Sequence, residues 1–187
     1  NPAGTTMPAE RCAAVVEMAK RWSKHGRIHV ISDEAYRELR YAGEDIPSPR
    51  VWDEEGDTVI VTGSFSKSFS PGLRVGWGIL PRQLIGPVNE QKGNADFGSP
   101  NLNQQLMTHV LKLGLLEPHL ARIRTSYREK LTAMLAAADA HLGRLPGVEW
   151  HRPTGGLYVW VRLPSGLDAG LHQPLFAAAG REGVLYV

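Results

Sequence analysis

The sequence predicts an α/β fold, a sheet flanked by helices, and three observations carry that reading. A helical stretch over 8–24 runs into an apolar strand over 28–31. Two further short strands, 59–62 and 75–80, precede a helical stretch over 82–92. Beyond residue 100 the pattern turns to long helical segments and then to short paired strands. Alternation of this kind argues for a parallel or mixed sheet covered by helices.

Each element has a local reason. Pro8 is preorganised for a helix start, and Ala13, Val16, Ala19 and Trp22 recur at near-helical spacing until Gly26 can close the segment. The run 28–31 ends in Ser32, Asp33 and Glu34, which places Asp33 at the carboxyl end of a strand. Residues 42–57 are rich in Pro, Gly and Asp and read as a loop. The strand 59–62 delivers the chain to a serine-flanked lysine, and 75–80 returns from it. Segments 102–113 and 117–142 are helical, the second with Leu120, Ile123, Tyr127, Leu131, Met134 and Leu135 as an apolar stripe. Gly143 and Pro146 end it. Segments 147–151 and 156–163 read as paired strands, followed by a helix over 171–182 and a last strand at Val184.

Composition excludes more than it identifies. With 187 residues the chain is long enough for a buried core, and a net charge of +2 with interleaved signs gives no argument for nucleic acid. The single cysteine, Cys12, excludes an internal disulfide framework and fits a reducing, cytoplasmic setting. No apolar run is long enough to span a bilayer. The seven histidines show no i, i+4 metal spacing with an acidic partner, so no metal site is expected, and His109 and His119 read as helix-surface or packing residues. The glycines of GLRVGWG are not followed by a helix and form no dinucleotide fingerprint. Trp77 and Trp160 read as core residues, and Arg122 and Arg124 as solvated or facing a partner subunit.

The chemistry concentrates in four segments. SFSKSFSPGLRVGWG, residues 64–78, sets Lys67 among Ser64 and Ser66, with Arg74 seven positions on. A lysine amine is a nucleophile for aldehydes when it is fixed beside the rest of a cofactor. Serine hydroxyls and an arginine fork suit a phosphate dianion. Asp33 lies where open α/β sheets place their ligand sites, and Tyr36 reaches the same side if the chain turns helically there. The chain opens with Asn1-Pro2-Ala3-Gly4, a turn with an amide at its head.

Taken together, NPAG, SDEAYREL, SFSKSFSPGLRVGW and PTGGLYVWVRLP (153–164) resemble the signature segments of the fold-type I pyridoxal-phosphate (PLP) enzymes, specifically the class I/II aminotransferases of the aminoadipate and aromatic subgroup. The resemblance implies a PLP-dependent transferase-like three-layer sandwich. Residues 1–140 would be the later part of the large PLP-binding domain with its linking helix, and 141–187 the start of a smaller α+β domain. It implies a Lys67 Schiff base to PLP, Asp33 on the pyridine nitrogen, Tyr36 and Asn1 on the ring 3-hydroxyl, and Ser64, Arg74 and Ser66 on the phosphate. Lys67, Asp33 and Tyr36 would be the catalytic set, acting on an amino acid and a 2-keto acid in a homodimer, whose architecture would let Tyr41 approach a partner's cofactor. The family runs to roughly twice this length, so the expectation is an internal fragment. The glycine/serine-rich phosphate loop, the ring-stacking aromatic and the carboxylate-binding arginine of the family have no counterpart here, and the isolated fragment is expected to be inactive. Two other readings stay open: a decarboxylase or lyase on the same scaffold, or an effector domain fused to a DNA-binding module in a transcriptional regulator.

Overall fold

The computed structural model describes residues 3–187. Six α-helices and five strands follow in the order α1 (Ala9–Trp22), β1 (Val30–Asp33), β2 (Val59–Ser64), α2 (Phe65–Ser68), β3 (Gly76–Ile79), α3 (Arg82–Asp96), α4 (Asn101–Lys112), α5 (Leu116–His141), β4 (Glu149–Trp150), β5 (Val161–Arg162) and α6 (Pro174–Arg181). Short 3-10 turns occupy Pro49–Trp52, Pro71–Leu73 and Leu142–Arg144.

The principal sheet has β2 at its centre, with β1 parallel on one side and β3 antiparallel on the other. Register decides which residues share a face. Val30 lies beside Val59 and Ser32 beside Val61, so these side chains point one way, while Ile31 and Asp33, beside Ile60 and Thr62, point the other. On the first face Val16 of α1 closes on Val59 and Val61, all three almost fully buried, with Val30 and Trp52 packed around them. Burying a valine of this kind stabilises the fold by roughly 1.5–3 kcal/mol relative to exposure. Across the β2–β3 pair Trp77 stands opposite Gly63, where a Cβ would come within 2.2 Å of the indole ring. Glycine at that position is what lets the indole lie over the strand.

Asp53 prepares the entry to β2. Its side chain is fully buried, and one carboxylate oxygen accepts the Thr58 N–H (3.0 Å), the Val59 N–H (2.7 Å) and Nη1 of Arg50 (2.8 Å). Burial opposes ionisation here, but the backbone donors and the guanidinium outweigh it and hold the carboxyl below its usual range.

Most expected elements form near their expected bounds. α1 stops at Trp22, two residues before the expected end at Lys24, because Ser23 rather than Gly26 closes it: its hydroxyl donates to the Ala19 carbonyl (2.7 Å) and accepts the Ile28 N–H (3.0 Å). The first strand sits two residues later than expected, since its extent follows the pairing of Val30 with Val59. It is also not buried throughout: Ile28 is 45% and Ile31 68% exposed. Trp77 and Trp160, expected in the core, are 42% and 46% exposed. Val184 is not in a strand. Its N–H instead bonds to the Ala179 carbonyl at the end of α6. The paired strands β4 and β5 are shorter than expected and join through Glu149–Arg162 and Trp150–Val161. Among the described residues, no helix is long and apolar enough to cross a membrane.

Candidate active site

Two adjacent parallel strands end side by side, and their carboxyl ends carry the predicted chemistry. Asp33 closes β1 opposite Thr62, and β2 runs on two residues to Ser64, which opens the single-turn helix α2 containing Lys67. The Ser64 hydroxyl accepts the Ser66 N–H (3.0 Å), which leaves its own proton free to donate outward. Ser68 turns inward, buried, and bonds the Ser64 carbonyl. The Phe65 N–H reaches the Val75 carbonyl (3.0 Å), so the lysine loop is pinned at both ends to the β2–β3 hairpin.

Arg74 adopts a left-handed backbone, φ 53°, an uncommon conformation for a residue with a side chain. That bend carries its guanidinium back over the turn, where Nη1 lies 3.5 Å from the Ser66 hydroxyl and 3.3 Å from the Pro71 carbonyl. Asn103 of α4 steadies the same turn through the Leu73 carbonyl (2.9 Å). Ser64, Ser66 and Arg74 thus form one polar edge beside Lys67.

The lysine amine lies 5.6 Å from the centroid of the Tyr36 ring. This contact bridges the loop after β1 and the loop after β2. Asp33 accepts the Ala35 N–H (3.0 Å), which starts the turn that carries Tyr36. Among the described residues no ion pair engages Lys67, Asp33 or Arg74, although other acids and bases of the chain pair freely.

The structure therefore gathers Asp33, Tyr36, Ser64, Ser66, Lys67 and Arg74 at one end of the sheet. Asn1 lies outside the described residues. An open pocket of about 540 Å³ runs along β1, lined by Asp33, Glu34, Tyr36 and Arg37 together with Gly4 and Gly156. It meets the site from the β1 side only, since Lys67 and Arg74 do not line it. Among the described residues no cluster of histidines, cysteines and acids could hold a metal ion.

Two side chains, Arg124 and Tyr41, are held differently from expectation, and a third follows it. Arg124 is not free for a partner subunit: it bonds Glu38 through both the main-chain carbonyl (2.6 Å) and the carboxylate (2.8 Å). Tyr41 is buried and donates to the Gly156 carbonyl (2.5 Å), so its hydroxyl is engaged within this chain. His119 packs edge-on against Phe69, ring centroids 5.1 Å apart, in keeping with the packing role expected for it. Sequence spacing carries no signal for the first two contacts, which join residues 86 and 115 positions apart.

Comparison with known proteins agrees with the geometry. The family model "Aminotransferase class I and II" matches residues 1–180. Aromatic-amino-acid aminotransferase 1 of Thermococcus litoralis is 34% identical over all of this chain, which covers 42% of that protein. The 2-aminoadipate transaminase of Thermus thermophilus is 38% identical, with 45% of it covered. The crystal structure of an α-aminoadipate aminotransferase from the same species, complexed with N-(5'-phosphopyridoxyl)-L-leucine, superposes on the whole chain with a TM-score of 0.88 at 37% identity. An HTH-type transcriptional regulator of Bacillus subtilis, YisV, is 32% identical over 89% of the chain. The chain spans less than half the length of the aminotransferases it matches. By sequence and by fold, it belongs to the class I and II aminotransferase family.

Proposed function

We propose that this chain is the cofactor-bearing part of a longer, PLP-dependent aminotransferase that moves an amino group between an α-amino acid and a 2-keto acid. The observation that carries the reading is the Lys67 amine over the Tyr36 ring, without an ion pair among the described residues, at the shared carboxyl end of two parallel strands. When bound, PLP supplies an electron sink for charge developing at the substrate α-carbon. Lys67 would be the residue that holds the cofactor, and its free amine would serve as the base that holds and moves the α-carbon proton. Asp33 would hold the ring nitrogen and favour its protonated form. Tyr36, with Asn1, would hold the ring hydroxyl. Ser64 and Arg74, helped by Ser66, would anchor the phosphate and so keep the reacting atoms in register.

In this reading residues 1–140 belong to the large domain and 141–187 begin the smaller one. Support comes from the 26-residue α5, which ends at His141 before a separate two-stranded sheet. The active form is a cytoplasmic homodimer. A second reading has a specific observation behind it, the likeness to an HTH-type regulator. There the same site would sense PLP within a transcription factor, and turnover would be absent.

The test uses the full-length, PLP-loaded protein. Borohydride reduction should fix the cofactor on the peptide containing Lys67, and Lys67→Ala should abolish the visible band and lower transamination by roughly a thousandfold or more. A Lys67→Ala variant that keeps its band and its rate overturns the assignment. Loading on Lys67 without turnover, together with sequence-specific DNA binding, selects the regulator.

A further inference from the structure

The loop that follows Asp33 and carries Tyr36 forms no helix or named strand between β1 and the 3-10 turn at Pro49–Trp52. Its internal bonds near the site are the turn bonds Arg37 N–H to Glu34 and Leu39 N–H to Tyr36, the Ala35 N–H to the Asp33 carboxylate, and the Arg37 guanidinium on Glu34 and Asp45. Its two ends are fixed by other parts of the chain. At the upstream end the Glu34 N–H extends the ladder to the Thr62 carbonyl (2.8 Å). At the downstream end two distant segments close on it.

The first is Arg124 of α5, whose guanidinium holds both the carbonyl and the carboxylate of Glu38. The second is the segment 153–156. Leu39, wholly buried, accepts the Gly156 N–H (2.8 Å), and Arg40 forms an antiparallel bridge with Gly155. The Thr154 carbonyl takes the N–H groups of both Tyr41 and Ala42, while the Tyr41 hydroxyl reaches the Gly156 carbonyl. Contact is so close that a Cβ on Gly155 would lie 2.5 Å from the Leu39 oxygen and 2.9 Å from the Arg40 Cα. Gly4, left-handed at φ 60°, fits against Pro153 in the same junction, and its carbonyl accepts the Thr154 N–H.

Building on the aminotransferase reading, we propose that Tyr41 and Arg124 are positioning residues: they clamp the downstream end of the Asp33–Tyr36 turn so that both side chains meet the cofactor ring at a fixed distance. Neither touches the ring. Glu34 and Glu38–Tyr41 are the two fixed points, and the ring-binding residues lie between them. The segment 153–156 lies between β4 and β5, the two strands of the second sheet, so the clamp also ties the ring site to that later part of the chain. Burial, helped by the neighbouring Tyr127, pushes the Tyr41 phenol up to about 12, which keeps it a donor across the working pH range.

The experiment is run on the full-length, PLP-loaded protein with Tyr41→Phe, Arg124→Gln and Arg124→Lys. The readouts are the pH titration of the visible band of the Lys67-linked cofactor and the dissociation constant for PLP. Tyr41→Phe and Arg124→Gln should each move the titration midpoint by about half a unit, because the ring's hydrogen-bond partners set it. Each should also weaken PLP by about tenfold, the scale on which supporting contacts act on a bound group. Arg124→Lys should recover part of the loss, since it restores the charge but not both hydrogen bonds. If Tyr41→Phe fails to fold, Arg124→Gln, at a half-exposed site, carries the test alone. Variants that titrate and bind PLP like wild type overturn the clamp and leave the function standing. A wild-type protein with no Lys67-dependent band overturns both.

Discussion

Asp53 and Asp33 stand at opposite ends of the β1–β2 pair, and they are spent in opposite ways. Asp53, buried before β2, takes two backbone N–H groups and an arginine on one oxygen. Asp33, exposed at the end of β1, takes one backbone N–H and no cation. One carboxylate is used up in holding the fold. The other is left for something outside it. The same contrast holds for the bases: Arg50 and Arg37 are paired, whereas Lys67 and Arg74 have no ion pair among the described residues. Under the proposed function, the difference between these groups lies in what they are already bonded to, not in residue type.

The contrast breaks most sharply if the two aspartates are neutralised in turn. Asp33→Asn should lower transamination of the full-length protein by roughly 10²–10³-fold, the scale of a lost electrostatic partner at a reacting group, while shifting stability by less than about 0.5 kcal/mol. Asp53→Asn should do the reverse, costing about 3 kcal/mol because Arg50 and the backbone donors lose a buried charge, with kcat changed little in the protein that remains folded. Urea melts and initial rates on the two variants check both halves. Equal effects on stability would erase the distinction.

Acid should reveal the same asymmetry. The folded Asp53 carboxyl is depressed, so its contribution is complete above the ordinary aspartate value near 3.8 and is lost as pH falls through the folded value. Urea midpoints of wild type and Asp53→Asn should therefore converge below that pH, with a slope of at most about 1.4 kcal/mol per pH unit for one proton. The smallest effect is expected at Gly63→Ala. The new methyl must displace the Trp77 ring, at about 1–2 kcal/mol for overpacking, and it should redshift the Trp77 emission as the indole moves toward water.

Much of this was legible in the residues alone. The helices α1, α4 and α5 declare themselves because a long periodic stripe averages over local exceptions. The lysine loop is legible because Ser64, Lys67 and Arg74 sit close in sequence and need only one turn to meet. The strands were harder. β1 starts at Val30 rather than Ile28 because a strand's length is decided by its partner, and the partner lies 29 residues away in the Val30–Val59 pairing. Val184 looked like a strand by composition but has no neighbour to pair with among the described residues. Arg124 and Tyr41 were invisible as supports for the site because a hydrogen bond across a hundred residues leaves no trace in local spacing. The Asn1 expectation concerns a residue outside the described ones.

The edge of β1 has a practical side. Among the described residues no strand pairs with it on the side away from β2, and Ile31 stands exposed on its open face. A bare strand edge beside an apolar side chain is a template on which a second polypeptide can add by main-chain bonding. Anyone producing this segment by itself should expect it to self-associate as concentration rises, and a lysine in place of Ile31 would be the first remedy to try.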